Sequence, residues 1–292
     1  MRLTQLFAKT TKTVPADEVA DNAKLLIRAG FIYKEMAGVY AYLPLGLMVL
    51  ENIKKIVQEE MVGLGSSELL MSSLQAKDVW EITGRWDDKV VDIWFKSELK
   101  NGTEIGFGWS HEEPLMQMAS RYIKSYRDLP VSVFQFQTKL RNEVRAKSGV
   151  LRGREFLMKD MYTFSRSQAE LTEFYDRAIQ AYLKVYDRIG LGDITYMTFA
   201  SGGAFTQFSH EFQTVTDSGE DTIYLDENRH LAINEEVYSD DVIKQLNLNK
   251  AELKKCKAVE VGNIFDFGSV KGAQMNVTFT DHFFPNDLLD IF

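Results

Sequence analysis

The spacing of apolar residues changes period several times along the chain. Leu50, Ile53, Val57 and Met61 recur at intervals of three and four and predict an amphipathic helix over about 46–62. An earlier helix is predicted from Pro15 to Ala29, with Asp17 and Glu18 in its first turn and Gly30 as its stop. Between 90 and 110, β-forming residues flank Asn101-Gly102, a pair that accepts positive φ, and predict a hairpin. A helix from Glu112 to about Tyr126 follows, ended by Pro130. Two strands come next, over 131–143 and 154–164, joined by a polar, basic segment with two glycines. Ser165 is read as the cap of a long helix with Leu171, Tyr175, Ala178, Tyr182, Tyr186 and Ile189 on one stripe, closed by Gly190. A strand over 194–199, a turn at 201–203 and a mixed region to about 258 complete the pattern. Hairpins and helices without regular βαβ alternation predict an α+β domain, a mostly antiparallel sheet flanked by helices.

Composition narrows the class without naming a function. The 292 residues are 45% hydrophobic and 26% charged, ordinary for a globular protein. A net charge of −8 gives no overall basic face, so a nucleic-acid partner would need a local patch. The single cysteine, Cys256, allows neither an internal disulfide nor a Cys-based zinc site and fits a reducing, cytoplasmic setting. The N-terminus lacks the apolar run of a signal peptide. The longest uncharged apolar stretch, Met36 to Leu50, contains Pro44 and is shorter than the roughly 20 residues a membrane-spanning helix needs, so no membrane partner is expected.

Chemistry concentrates in the two central strands. Alternate side chains of a strand share a face, which groups Arg141 with Glu143, and Arg154 with Phe156, Met158, Asp160 and Tyr162. A guanidinium, two carboxylates and an aromatic ring on one face suit a nucleotide: Arg141 to fork onto phosphate, Phe156 to stack, Glu143 to accept from an exocyclic amine. A solvated sheet face with cross-strand ion pairs has the same pattern. His111 and His210 have no partner at metal-ligand spacing, so no metal site is expected from protein side chains, and no Walker pattern exists. Glu113 and Glu211 are compatible with helix or strand ends facing water. Lys139, Arg145, Lys147, Arg152 and Arg154 form a basic cluster, either a contact for an RNA end or a solvated charge run.

Residues 141–143 and 152–164 (Arg-Asn-Glu, then Arg-Gly-Arg-Glu-Phe-Leu-Met-Lys-Asp-Met-Tyr-Thr-Phe) resemble motif 2 of class II aminoacyl-tRNA synthetases of the bacterial prolyl type, with Leu140 where the family has Phe. Gly38 to Gly46 and the following helix resemble motif 1, the dimer-forming element, over about 36–62. Residues 68–86 resemble the next family segment, with Ser72 in place of proline. Ser110-His111-Glu112-Glu113 resembles the T-x-E loop that grips the proline imino group, with Ser for Thr. Gly202-Gly203 and Ser209-His210-Glu211-Phe212 resemble the two halves of the amino-acid pocket signature.

The resemblance implies a catalytic core over 1–281, with motif 2 at about 134–164. It implies activation of proline by ATP and Mg2+ to prolyl-adenylate, transfer to tRNA(Pro), and a homodimer. Arg141 and Glu143 would be the catalytic pair. ATP would meet Arg141, Glu143, Arg152 and Phe156. Proline would meet Ser110, Glu112, Arg141, Met158, Asp160, Gly202, Gly203 and His210. Such chemistry is positioning plus neutralisation of phosphate charge.

The sequence also departs from the family. The third motif carries G-x-G-x-x-R, whereas beyond Phe212 the one arginine is Arg229, in Glu-Asn-Arg-His. Residues 282–292 form a divergent apolar tail, either covering a sheet edge or unrelated to the fold, and no anticodon-binding domain follows. Some 45 residues separate Phe212 from Val259, too few for the large editing insertion of many bacterial members. Activity of this chain alone is therefore expected to be impaired. A non-catalytic synthetase-like binding or regulatory paralogue, and a ligase loading an amino acid onto a carrier protein, are the alternatives.

Overall fold

The computed structural model describes residues 3–144, 146, 148–203, 208–280 and 288–290. In chain order the elements are α1 (Asp21–Arg28), β1 (Ile32–Met36), β2 (Val39–Tyr42), α2 (Pro44–Gly63), β3 (Ser67–Glu68), β4 (Leu74–Ala76), α3 (Lys77–Glu81), β5 (Lys96–Glu98), β6 (Glu104–Phe107), α4 (Glu112–Tyr122), β7 (Val131–Leu140), β8 (Glu155–Phe164), α5 (Gln168–Arg188), β9 (Thr195–Ser201), β10 (Phe208–Val215), β11 (Asp221–Asp226), β12 (Leu231–Asn234), α6 (Asp240–Gln245), β13 (Lys254–Ile264), α7 (Val270–Gln274), β14 (Thr278–Thr280) and β15 (Leu288–Asp290). The chain divides into two compact units, Met1–Leu171 with Ser269–Phe292, and Thr172–Gly268. The α+β class with mostly antiparallel pairing holds.

In the first unit, β3, β7 and β8 form one sheet, with β3 parallel to β7 and β7 antiparallel to β8. A second sheet has the order β4-β6-β5, and β1 pairs with β2. All four tryptophans pack together: ring centroids of Trp80 and Trp94 lie 4.7 Å apart, Trp86 and Trp94 4.8 Å, and Trp80 and Trp109 5.6 Å. The predicted hairpin turns at Asn101-Gly102, but its strands are only 96–98 and 104–107. Residues 90–95 leave the ladder with Val91 and Trp94 buried. The helix over 46–62 is α2, started by Pro44 at its first turn. Its stripe is uneven: Met61 is fully buried, while Ile53 is exposed together with Leu47, Met48, Val49 and Val62.

Three predicted boundaries move for local reasons. Residues 15–20 are not helical, because the buried Glu18 carboxylate accepts from the Ala20 N–H (3.0 Å), the Tyr40 hydroxyl (2.9 Å) and Lys34 (3.2 Å), so the turn is pinned before α1 starts. The helix after Glu112 stops at Tyr122, since Ser125 and Asp128 form a capping box around a separate 3₁₀ turn. The cap of α5 is Ser167, whose hydroxyl accepts from the Glu170 N–H at 3.4 Å, rather than the fully buried Ser165. Of the apolar tail, 288–290 pairs with β14 in a two-stranded sheet, separate from the sheet that carries β8; 282–287 and 291–292 lie outside the described residues.

The second unit is built on a closed five-stranded barrel, order β10-β13-β11-β12-β9, which the hydrophobic pattern did not announce. The 45 residues after Phe212 supply two of its strands, β11 and β12, along with α6. One face of β10 presents Phe212, packed against Ile179, Tyr182 and Tyr186 of α5. The opposite face turns Glu211 and Gln213 into the barrel, above an apolar layer of Ile223, Leu225, Ala232 and Ala258. Glu211 is thus buried rather than a solvent-facing strand end, and it accepts from Gln213 Nε2 (2.9 Å) and Asn234 Nδ2 (3.1 Å).

Two outcomes follow from these packings. Alanine for glycine inside a helix normally stabilises by roughly 1 kcal/mol. At Gly46 of α2, however, an added Cβ would sit 2.1 Å from the Phe31 carbonyl oxygen, so Gly46→Ala is expected to lower Tm by at least about 3 °C in a thermal melt. In the barrel, burial first and then the Glu260 and Asp221 carboxylates push the Glu211 carboxyl up from 4.5 to about 7. The folded state therefore binds the extra proton: Glu211's contribution is intact below about pH 4.5 and is lost as pH rises to 7, by on the order of 3 kcal/mol. Glu211→Gln keeps an acceptor for Gln213 and Asn234 and removes the titration. Urea midpoints measured at pH 5 and pH 8 should fall with pH in the wild type and stay level in this variant.

Candidate active site

In the first unit, the β7–β8 pairing sets Gln135 opposite Asp160, Gln137 opposite Met158, and Lys139 opposite Phe156. Directly opposed residues share a face, so this face carries three polar side chains of β7, and all three are buried. Lys139 is 0% exposed. Its ammonium donates to Asp160 Oδ2 at 2.9 Å and to His111 Nδ1 at 2.6 Å. Because Nδ1 accepts, the imidazole carries its proton on Nε2, which donates to the Ser72 carbonyl at 3.1 Å. Burial, and then the neighbouring Lys139 charge, hold His111 below the usual histidine range and keep it neutral. Asp160 Oδ2 also accepts from Gln135 Nε2 (2.9 Å) and the Tyr162 hydroxyl (2.8 Å).

His111 immediately precedes α4, whose first turn contributes Glu112 and Glu113, where carboxylates suit the helix dipole. Both are buried. Ser110 Oγ donates to Glu112 Oε1 at 2.6 Å, and Arg85 reaches Glu112 Oε2 at 3.1 Å. The same guanidinium nitrogen lies 3.0 and 2.9 Å from the two Glu113 oxygens, which also meet the Thr83 hydroxyl (2.8 Å) and Lys271 (3.7 Å). Arg85 packs on two indoles, its guanidinium carbon 4.6 Å from the Trp109 ring centre and 5.2 Å from that of Trp80. Glu113 is therefore an internal ion-pair partner, not a helix end facing water.

At the open end of β7, the strand stops at Leu140. Arg141 makes an isolated bridge to Trp94, and Asn142 donates to the Ile93 carbonyl at 2.6 Å, so strand alternation does not carry Arg141 and Glu143 onto one face. Instead the half-buried Arg141 guanidinium lies 5.3 Å from the Phe156 ring centre and makes two long bonds, each 3.4 Å, to the Trp109 carbonyl. Arg154 donates to the carbonyls of Glu143 and Ala37, both at 3.0 Å, and so braces the start of the motif 2 loop. Arg152 is exposed. Of the basic cluster, Lys139 is core rather than surface, Arg154 is committed to backbone oxygens, and Arg145 and Lys147 lie outside the described residues.

The second unit carries the remaining predicted residues. Gly202 is buried, and Gly203 has φ +55° with its N–H donating to Ser201 Oγ at 3.3 Å. His210 lines a cleft of roughly 420 Å3 with Tyr175, Asp176, Phe199, Ser209 and Asp266. Tyr175 donates its hydroxyl hydrogen to the Ile264 carbonyl at 3.1 Å, so its 2.8 Å contact with His210 Nδ1 is donated by the imidazole. Burial lowers the His210 pKa and keeps the ring neutral. Tyr182 and Tyr186 of the aromatic stripe are core, as the spacing suggested, but Tyr175 belongs to this cleft.

Thus Ser110, Glu112, Met158, Asp160, Arg141 and Phe156 gather on the first unit, and Gly202, Gly203 and His210 on the second. Sequence reasoning overlooked Arg85, Gln135 and Gln137, and assigned Lys139 to the surface. The polar alternation Gln135-x-Gln137-x-Lys139 within a strand was the available signal. Among the described residues no group of three His, Cys, Asp or Glu side chains is placed to hold a metal.

The description "tRNA synthetase class II core domain (G, H, P, S and T)" matches residues 95–286. A proline–tRNA ligase of Bacillus cytotoxicus is 40% identical over 237 residues, 81% of this chain and 42% of that protein. A second, from Bacillus cereus, is 37% identical over 271 residues, 91% of this chain and 48% of the relative. The chain spans about half the length of the curated relatives it matches. Among solved structures, prolyl-tRNA synthetase from Cryptosporidium parvum with L-proline and AMP superposes with a TM-score of 0.68 at 14% identity, over 91% of this chain and 46% of that one. The Giardia lamblia enzyme with prolyl-adenylate gives 0.67 at 14%, over 89% and 46%. At that identity the structures speak for the fold, and the match over 95–286 speaks for the family: this chain belongs to the class II tRNA synthetase core domains.

Proposed function

We propose that this chain is the catalytic core of a prolyl-tRNA synthetase, which activates proline with ATP to prolyl-adenylate and transfers it to tRNA(Pro). The observation that carries this reading is the buried Glu112 carboxylate, fixed between Ser110 and Arg85 on the unit that also holds Arg141 over Phe156. A cationic imino nitrogen is drawn to Glu112, and the prolyl carboxylate and α-phosphate to Arg141. In the first step a proline carboxylate oxygen bonds to the α-phosphorus as the bond to pyrophosphate breaks. Phe156 stacks on the adenine, Glu143 accepts from its amine, and Arg152 meets the outer phosphates. Met158 and Asp160 floor the amino-acid site on the first unit. Mg2+ enters as the ATP complex, with phosphates and water as its ligands, where it neutralises phosphate charge. The single free cysteine is in keeping with a cytoplasmic enzyme.

The alternative reading is a non-catalytic, synthetase-like binding relative. Proline-dependent ATP–pyrophosphate exchange decides between the two. Exchange that falls by about 10²–10³ in Arg141→Ala marks an activating enzyme. A folded protein that binds ATP without exchange is the binding paralogue. Adenylate formation without transfer to tRNA indicates loading of another acceptor.

A homodimer through the β1–β2 hairpin and α2 accompanies this function. Tyr33, Met36, Tyr42, Leu47, Met48 and Val49 are all exposed there, large apolar side chains that a partner subunit would cover. Light scattering at micromolar concentration should give twice the 33.4 kDa chain mass, and Met48→Asp should shift it towards one chain. A wild-type monomer would exclude the dimer.

A further inference from the structure

Within the first unit, the motif 2 loop between β7 and β8 lies against α1 and is tied to it by one side chain. Asn22, in the first turn of α1, donates from Nδ2 to the Ser148 carbonyl at 3.1 Å, and its Oδ1 accepts from the Val150 N–H at 3.1 Å. A primary amide offers a donor and an acceptor in one plane, so Asn22 meets the backbone on both sides of Gly149 as a neighbouring strand would. The approach is close. Gly149 is buried at φ +62°, and a Cβ there would lie 2.2 Å from Asn22 Oδ1 and 3.0 Å from the Cβ atoms of Ala20 and Ala23. Asn22 is itself well placed to hold the loop, because the Glu18 contacts pin the turn before α1.

A few residues on, the loop is held a second time. The Arg154 N–H donates to the Gly38 carbonyl at 2.7 Å, and a Cβ on the buried Gly153 would lie 3.2 Å from the same oxygen. Between Val150 and Gly153 stand Leu151 and Arg152, and both are exposed. We propose that Asn22 is a positioning residue for the motif 2 loop: by binding the backbone at Ser148 and Val150 it sets the base from which Arg152 meets the outer phosphates of ATP. The inference rests on the function proposed above, in which Arg152 has that role. Asn22 itself touches no substrate. A loop that had to become ordered as the nucleotide arrived would lose affinity to that ordering, and a loop already bound to α1 does not. An uncharged amide also suits the task, since it holds the backbone without setting a carboxylate near a polyanion.

Calorimetric titration of the full chain with two ligands tests this. MgATP carries the outer phosphates, whereas prolyl-sulfamoyl-adenosine carries the adenosine and prolyl groups without them. A folded wild type that binds neither removes the function and the inference together, and one that binds the second ligand but not MgATP removes the inference alone. Given binding of both, Asn22→Ala should weaken MgATP about 3- to 10-fold and prolyl-sulfamoyl-adenosine less than about twofold. In an Arg152→Ala background the same substitution should weaken MgATP less than about twofold, because the side chain it positions is gone. Equal losses for both ligands, an undiminished loss in the Arg152→Ala background, or no loss at all would sink the inference and leave the function standing. Asn22→Asp, of the same shape, is the second variant. It keeps an acceptor for the Val150 N–H but has no donor for the Ser148 carbonyl, so a selective loss of the same kind is expected. Should neither variant fold, amide hydrogen exchange of the wild type decides. A Val150 N–H slowed at least about tenfold relative to an unstructured chain supports the tie to α1, and exchange at the unstructured rate overturns it.

Discussion

A carboxylate removed from water must be met by a cation or by several hydrogen-bond donors, and besides Glu18 and Glu60 the first unit buries Glu112 and Glu113 and most of Asp160. Much of that unit's polar interior answers this constraint. Arg85 serves two carboxylates at once, through a single guanidinium nitrogen. Arg85 is in turn held by Trp109 and Trp80, so the tryptophan cluster is more than apolar filling. It packs on the guanidinium that pairs with the Glu112 carboxylate. Breaking a buried pair of this kind typically costs about 3–5 kcal/mol, mostly because the surviving charge is left without a partner. The packing of α3, α4 and the indoles is therefore coupled to the position of one candidate substrate ligand.

The barrel resolves the same constraint differently. Glu211 is buried among Gln213, Asn234 and Asn263, and among the described residues no lysine or arginine side chain pairs with it. Amide donors offset part of the desolvation, and nearby Glu260 and Asp221 oppose ionisation, so the carboxyl is held near neutrality in its proton affinity. Two buried carboxylates thus have different partners within one chain: Glu112 meets Arg85 and Ser110, and Glu211 meets amide donors. Sequence gives them similar surroundings, His-Glu-Glu and His-Glu-Phe, and only the fold separates them.

What could be read from residues alone was whatever depends on local spacing. The strands now seen as β7 and β8, the long helices α2 and α5, and the hairpin turn at Asn101-Gly102 follow from periodicity and turn chemistry. The grouping of Ser110, Glu112, Arg141, Phe156 and Asp160 was also legible, through motif resemblance. Arg85 was not, because nothing near Gly84-Arg85-Trp86 reveals that two carboxylates 27 and 28 residues later converge on it. Lys139 was misplaced for a related reason. It stands beside Arg141 and close to Arg152 and Arg154 in sequence, so charge counting joins them, while strand alternation turns Lys139 inwards with Gln135 and Gln137. The closed barrel escaped notice because β9 and β12 pair in parallel across some 30 residues, a contact with no local signature.

The charges within the first unit also constrain what can bind there. Lys139, Arg85 and Lys271 face Asp160, Glu112 and Glu113, so three cations offset three anions before any ligand arrives. A buried site balanced in this way takes a ligand of no net charge with the least further desolvation, provided the ligand's own charges are separated and each finds a partner. A zwitterionic amino acid, as in the function proposed above, meets that condition. An acidic or basic side chain would add one uncompensated charge in a place already neutral. The half-buried methionine at position 158, between Phe156 and Asp160 on the same face of β8, offers the remaining part of the ligand only apolar contact. On the proposed function, the same charge balance disfavours an acidic or basic amino acid as much as the apolar Met158 does.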